Sequence, residues 1–139
     1  MIKKIYIKHK EIINYLIFGV LTTIVSLSTY YLLVLTILNP NNSLELQIAN
    51  IISWIAAVTF AYITNRKYVF NSKNKNIIKE IIKFYSSRLT TLFLDMIIMF
   101  IFVTLLSFND KIIKIFVQII VTISNYILSK LLVFKKRSL

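Results

Sequence analysis

The stretch LQIANIISWIAAVTFAYITNRKYVF, residues 46–70, decides the fold of this chain. Its first 20 residues carry no charge, and it closes on a polar residue, two cations, a tyrosine and the pair Val69-Phe70. About 18 or more apolar residues in a row can cross the hydrocarbon core of a bilayer. Such a run must be helical in lipid, because every backbone polar group needs an internal partner. The stretch therefore predicts a transmembrane helix with a basic, aromatic end.

The same ending occurs again near the end of the chain. Residues 65–70 read NRKYVF and residues 129–134 read SKLLVF, so each has a polar residue, a cation, two further residues and Val-Phe. Tyr62 and Tyr126 each lie three residues before the polar residue. Two apolar runs with one shared ending predict a duplicated helical hairpin, which is a mark of many transporter folds.

The composition extends this interpretation to the whole chain. It has 139 residues, of which 58% are hydrophobic, too few polar residues for a soluble domain of this size. We predict one all-α integral membrane domain, residues 1–139, with two parallel-oriented hairpin repeats. The four transmembrane helices are predicted at about 14–38, 46–68, 84–107 and 112–134. The basic connection 71–83 has isoleucines at helical spacing, which predicts a short interfacial helix.

Lysine and arginine are distributed unevenly. Fifteen of the 17 lie before the first span, around the middle connection or at the end of the chain, where Lys136 and Arg137 follow Lys135. Only Lys111 and Lys114 lie on the other side. By the positive-inside rule both termini are predicted to be cytoplasmic. The heavy use of isoleucine, lysine and asparagine is typical of AT-rich coding in a bacterium, so we expect a bacterial cytoplasmic membrane. The rule also explains the net charge of +12, and without a recognition module we expect no nucleic acid partner.

No catalytic or metal-binding set is visible. The chain has no cysteine, and its one histidine, His9, lies in a lysine-rich flank. It contains no Walker loop, no paired carboxylates at metal spacing and no nucleophile with a histidine base. We therefore expect neither an enzyme nor an ATP-driven pump, and no cofactor.

Several short motifs resemble those of a known family. They are Phe18-Gly19-Val20, Ala49-Asn50 and the two closing hexapeptides, spread from about 14 to 134. In this order the sequence resembles the GtrA-like family, small four-span proteins of bacterial cell-envelope glycosylation. The resemblance implies a role in moving a polyprenyl-phosphate-linked sugar across the membrane, for example for teichoic acid glycosylation, or in serving the glycosyltransferase that makes or uses it. Lys130 stands where the family often has arginine. Its ammonium group is a point charge and cannot donate the paired hydrogen bonds of a guanidinium group.

The candidate phosphate-binding residues are the cations at the basic ends of the spans. Arg66 and Lys130 occupy matched positions in the two repeats, with Lys67 beside the first and Arg88 in the third span. Arginine suits phosphate through paired donors. The alternative is ordinary anchoring of helix ends by positive charge.

Polar groups within the spans form a second candidate set, because charge inside a membrane is costly and often functional. Asp95 is the sharpest of them. In one interpretation its carboxyl group is neutralised by Thr91 or by a neighbouring helix, and the contact holds the bundle together. In the other, Asp95 takes part in transport. Aromatic residues of the set either stack on sugar rings or pack, and its asparagines hydrogen-bond between helices. The other members are Asn50, Trp54, Tyr62, Gln118, Asn125 and Tyr126.

The most specific function consistent with these features is flipping of a polyprenyl-phosphate-linked sugar from the cytoplasmic to the outer leaflet. Its tail would stay in the membrane lipid while the headgroup follows a polar groove, which a homo-oligomer would help to form. One alternative is an accessory or anchor subunit of a membrane glycosyltransferase. Another is a small multidrug exporter, which the strong charge asymmetry disfavours because such proteins often insert in both orientations.

Overall fold

The computed structural model describes residues 1–135, so Lys136 and Arg137 of the predicted basic end lie outside the described residues. The described part of the chain forms helices and turns and contains no strand. It divides into two compact units, Met1–Ser72 and Lys73–Leu139, and each contains two long helices packed as a hairpin. The predicted all-α class is confirmed.

The first unit contains α1 (Ile2–Lys8), α2 (Lys10–Thr36) and α3 (Ser43–Thr64), which continues into a π-helical segment, Asn65–Val69. Helix α2 ends shortly before Pro40, whose ring and missing N–H prevent a helix from continuing. Helix α3 begins after Asn42, whose side chain accepts a hydrogen bond from the Leu44 amide at 3.0 Å. This cap satisfies a backbone donor that the first helical turn leaves open.

The second unit contains α4 (Ile77–Met99) with a π-helical segment, Phe100–Leu105, and α5 (Asp110–Leu128) with another, Ser129–Val133. Asn76 caps α4 by accepting from the Lys79 amide at 3.1 Å, and Asn109 caps α5 in the same way. A separate interfacial helix in the 71–83 connection, as the isoleucine spacing predicts, is not present: residues 71–76 are not helical, and residues 77–83 form the first turns of α4. No glycine or proline interrupts the chain after Asn76, so the helix runs unbroken into the third span.

Within residues 1–135, four helical stretches are long and apolar enough to cross a membrane: Lys10–Thr36, Ser43–Val69, Ile77–Leu105 and Asp110–Val133. The shortest has 24 residues. At about 1.5 Å per residue it extends about 36 Å, more than the roughly 30 Å of a bilayer core. The chain is therefore a multi-pass membrane protein, as the uncharged runs predict.

The two closing hexapeptides share a backbone feature that the sequence does not predict. Each forms a π-helical turn, in which the Phe70 N–H donates to the Asn65 carbonyl at 2.9 Å and the Phe134 N–H to the Ser129 carbonyl at 2.8 Å. Phe70 and Phe134 are both 4% exposed. π-Helical turns are rare in proteins overall, and those that occur are often found at functional sites. The sequence repeat is thus also a structural repeat.

Small residues line one face of α3. Ala49, Ser53, Ala57 and Ala61 follow one another at four-residue spacing, and all four are buried. This is the pattern that lets membrane helices approach closely, since lipid provides no hydrophobic driving force between them. Large apolar side chains, by contrast, are exposed along the outside of the spans, as contact with lipid requires.

Candidate substrate-binding site

The basic end of the first unit is held in place by α2. The Lys67 ammonium lies 5.2 Å from the centroid of the Tyr68 ring, and that ring stacks on Phe18 at 5.2 Å. The Asn14 amide donates to the Tyr68 carbonyl at 3.2 Å and accepts from the Tyr6 hydroxyl at 3.1 Å. Asn14 thus satisfies a carbonyl at the end of the span. This role of Asn14 was not predicted, although a polar amide near the start of an apolar span is a signal for it.

Arg66 lies in the middle of this well-fixed end. It is half-buried, between buried Asn65 and exposed Lys67. Its carbonyl accepts a hydrogen bond from the Ser72 amide at 2.9 Å. The backbone can turn back to make this bond because Asn71 takes the left-handed conformation, with φ at 48°. The backbone around Arg66 is therefore fixed on both sides of the side chain.

The basic end of the second unit combines two cations with aromatic rings. The Lys130 ammonium donates to the Tyr126 hydroxyl at 3.3 Å. The Arg88 guanidinium lies 4.7 Å from the centroid of the Phe84 ring. The centroids of the Phe84 and Phe134 rings are 5.8 Å apart. Cation–π contacts of this length are favourable. The structure thus connects Arg88 on α4 with the closing motif of α5 through Phe84.

Each closing motif begins with a buried polar side chain. Asn65 is 3% exposed and Ser129 is fully buried. The Oδ1 atom of Asn65 and the Oγ atom of Ser129 have no hydrogen-bond partner among the described residues. Buried polar atoms without partners are uncommon. Their occurrence at matched positions marks the start of the π-helical segment as a distinctive place in both units.

An interhelical hydrogen bond joins α4 and α5. The Thr91 hydroxyl contacts the Asn125 Oδ1 atom at 2.7 Å and the carbonyl of Arg88 at 3.1 Å. This confirms the predicted interhelical role of Asn125. Thr91 is therefore engaged by Asn125, and it is not the group that neutralises Asp95.

Asp95 is neutralised by the neighbouring helix. The Lys114 ammonium contacts both of its carboxylate oxygens, at 2.8 and 2.7 Å. The Asp95 side chain is 18% exposed and that of Lys114 is 52% exposed. This role of Lys114 was not predicted, since in the sequence it is one of the two cations that flank the fourth span. The signal for the pair was one acid in the third span and one cation just inside the fourth, across a short loop.

The remaining candidate residues differ in how accessible they are. Asn50 and Gln118 are exposed, whereas Trp54 and Tyr126 are half-buried. Tyr62 is only 6% exposed, which leaves little ring surface for a sugar. The hypothesis of stacking on a sugar ring therefore rests on Trp54 and Tyr126.

Comparison with known proteins gives one consistent result. The profile of the family described as GtrA/DPMS, transmembrane domain, matches residues 14–134. The membrane protein YwcD of Bacillus subtilis is 39% identical over 125 residues, which cover 88% of this chain and 94% of YwcD. The cell wall teichoic acid glycosylation protein GtcA of Listeria monocytogenes is 35% identical over 128 residues, covering 90% of this chain and 85% of GtcA.

A second relative of that name, from Listeria innocua, is 37% identical over 130 residues, covering 91% of this chain and 86% of the relative. No solved structure matches the chain. The family match covers both hairpins and both closing motifs. The chain belongs to the GtrA/DPMS transmembrane-domain family.

Proposed function

We propose that this protein flips a polyprenyl-phosphate-linked sugar from the cytoplasmic to the outer leaflet, where the sugar is used to glycosylate a cell-wall polymer such as teichoic acid. The names of the Listeria relatives support the cell-wall context. The absence of any ATP-binding or catalytic motif from the sequence agrees with a transporter that moves its substrate passively.

The observation that carries the proposal is the basic, aromatic ending shared by the two units. Arg66 in the first unit and Lys130 in the second follow a buried polar residue on a π-helical turn. Each stands at the end of an apolar span, where the phosphate of a membrane-anchored lipid would lie. A cation at this depth pairs with the phosphate while the polyprenyl tail stays in the lipid.

The ion pair at the other end of the second unit suggests a second station for the headgroup. Lys114 and Lys130 belong to the same span, 16 residues apart in the sequence. At the helical rise this separation is about 24 Å, which approaches the thickness of the hydrocarbon core. A phosphate that leaves the basic end would therefore meet a cation again near the opposite end of the same helix.

The proposed direction of transport depends on the orientation of the chain. The charge asymmetry supports a cytoplasmic position for both termini and for the 71–83 connection. A reporter enzyme that is active only in the cytoplasm should be active when fused after Leu139 and inactive when inserted at Asn41. The reverse pattern would contradict the orientation.

The energetics favour outward movement without a nucleotide. A sugar linked through one phosphodiester carries about one negative charge, and moving that charge outward across a membrane that is negative inside gains about 2.3 kcal/mol per 100 mV. We expect purified protein in vesicles to flip a fluorescent polyprenyl-phosphate sugar without ATP, and faster outward when a potassium gradient makes the interior negative. Flipping that requires ATP, or that ignores the potential, would contradict the proposed mechanism.

A further inference from the structure

We propose that the Asp95–Lys114 ion pair is a selectivity element, which admits lipid phosphates that carry a sugar and rejects those that do not. The inference rests on the proposed function and specifies the substrate class for it. It starts from a contact within one helical hairpin, between a carboxylate on α4 and an ammonium on α5. The substrate class is a glycosyl phosphate on a lipid tail, with hydroxyl groups next to the phosphate.

The two partners are not equally accessible. The Lys114 side chain is 52% exposed, whereas that of Asp95 is 18% exposed. The ammonium has three N–H donors, of which two suffice for the two carboxylate oxygens. An anion that arrives from outside the hairpin therefore meets Lys114 first and finds a donor already oriented.

Replacing the ion-pair partner of a charged side chain inside a membrane costs free energy. When a phosphate draws Lys114 towards itself, Asp95 has to share its partner and also gains a negative neighbour. A charge left without a partner in an apolar environment is strongly unfavourable, and a second anion nearby adds repulsion. A lipid phosphate without other donors therefore enters this site only at high cost.

A glycosyl phosphate removes that cost with its own hydroxyl groups. Its phosphate pairs with Lys114, and sugar hydroxyls near the phosphate donate hydrogen bonds to the Asp95 carboxylate. Both charges then keep a partner throughout the exchange. Sites built to bind a hydroxyl reject analogues without it, because the group that bound the hydroxyl is left unsatisfied. The pair would thus disfavour lipid phosphates that carry no hydroxyl group or other hydrogen-bond donor near the phosphate.

The test compares two lipids with the same tail in vesicles that contain only the purified protein. One is a short-chain fluorescent polyprenyl phosphate that carries a sugar. The other carries a methyl group in place of the sugar, so that both phosphates are diesters with about one negative charge. We expect the wild-type protein to flip the sugar-bearing lipid faster, on the order of tenfold, which corresponds to one hydrogen bond to a charged group. Asp95→Asn should reduce this ratio towards one, mainly by accelerating the methyl phosphate lipid, since the amide carries no charge that needs a partner.

Asp110→Asn is the matched control, because it makes the same change at an exposed position at the start of α5. It should leave the ratio of the two rates unchanged. Lys114→Met should slow both lipids, because both phosphates use the ammonium. The exchanged variant Asp95→Lys with Lys114→Asp restores an ion pair and so serves as a test of a purely structural role. It should remain folded and lose the selectivity.

Two results would overturn the inference. The first is an Asp95→Asn protein that slows both lipids by the same factor, since a purely structural pair affects both alike. The second is an exchanged variant with wild-type selectivity. A wild-type protein that flips neither lipid would instead refute the proposed function. The two failures therefore give different results in the same assay.

Discussion

Replacing Arg66 by alanine is expected to lower the rate of sugar-lipid flipping by at least about tenfold while the protein still inserts in the membrane. The guanidinium offers paired donors to a phosphate, and a hydrogen bond to a charged group contributes about 1.5–3 kcal/mol, or roughly 10- to 150-fold. The surrounding backbone is held by hydrogen bonds from Asn14 and Ser72, which the substitution leaves in place. The measurements are the flipping rate in vesicles and cell-wall glycosylation at matched protein levels.

Three further variants define the expected pattern around Arg66. Arg66→Lys should recover part of the activity, because an ammonium restores the charge and cannot form the bidentate pair. Lys130→Ala should have a smaller effect than Arg66→Ala, since its side chain is more exposed. Lys75→Ala removes an exposed cation from the connection outside the helices and should have no effect. Full activity of Arg66→Ala at normal abundance would remove Arg66 from the proposed site.

The second large effect is expected on stability. Phe84→Ala should destabilise the protein by about 2–3 kcal/mol, because the ring is fully buried and packs between Phe134 and the Arg88 guanidinium. The loss of stability comes from the loss of packing contacts. Lipid tails are as apolar as phenylalanine, so moving this side chain from lipid into the protein gives no hydrophobic gain. Thermal unfolding in one detergent, followed by the loss of monodisperse protein, measures the change.

Phe93→Ala is the matched control for this change. It makes the same substitution on the same helix, and Phe93 is 59% exposed on the outside of the span. Its effect should be within about 0.5 kcal/mol of zero. Equal destabilisation by the two substitutions would mean that the aromatic cluster around Phe84 does not hold the second unit together.

The number and type of the spans were predictable because their signal is additive along the chain. Long stretches without charge leave the backbone no alternative to a helix in lipid, whatever the strand preference of isoleucine and valine. The repeat was predictable too, because a cation at a helix end and a Val-Phe pair recur in fixed order. The start of α4 could not be predicted, because the first helical turns after Asn76 are basic. A helix that extends from an apolar span into a basic region shows no break in its sequence pattern.

The details of the candidate site depend on features that a single sequence does not encode directly. The π-helical turns at 65–69 and 129–133 have no residue signature of their own, since they follow from one extra residue in a helical turn. The pairing of Asp95 with Lys114 depends on the register between α4 and α5, which side-chain packing sets. Arg88, seven residues before Asp95 on the same helix, has its guanidinium against the Phe84 ring.

The central claim is that this protein moves the lipid itself and does not merely assist a glycosyltransferase. The direct measurement is flipping by the purified protein alone, in vesicles that contain a fluorescent polyprenyl-phosphate sugar and a quencher that cannot cross the membrane. If the protein is a flippase, the quencher should reach nearly all of the label over time, whereas in protein-free vesicles it reaches only the outer leaflet. Quenching that stops at the outer-leaflet share, with folded protein in every vesicle, would contradict the claim and assign the chain an accessory role.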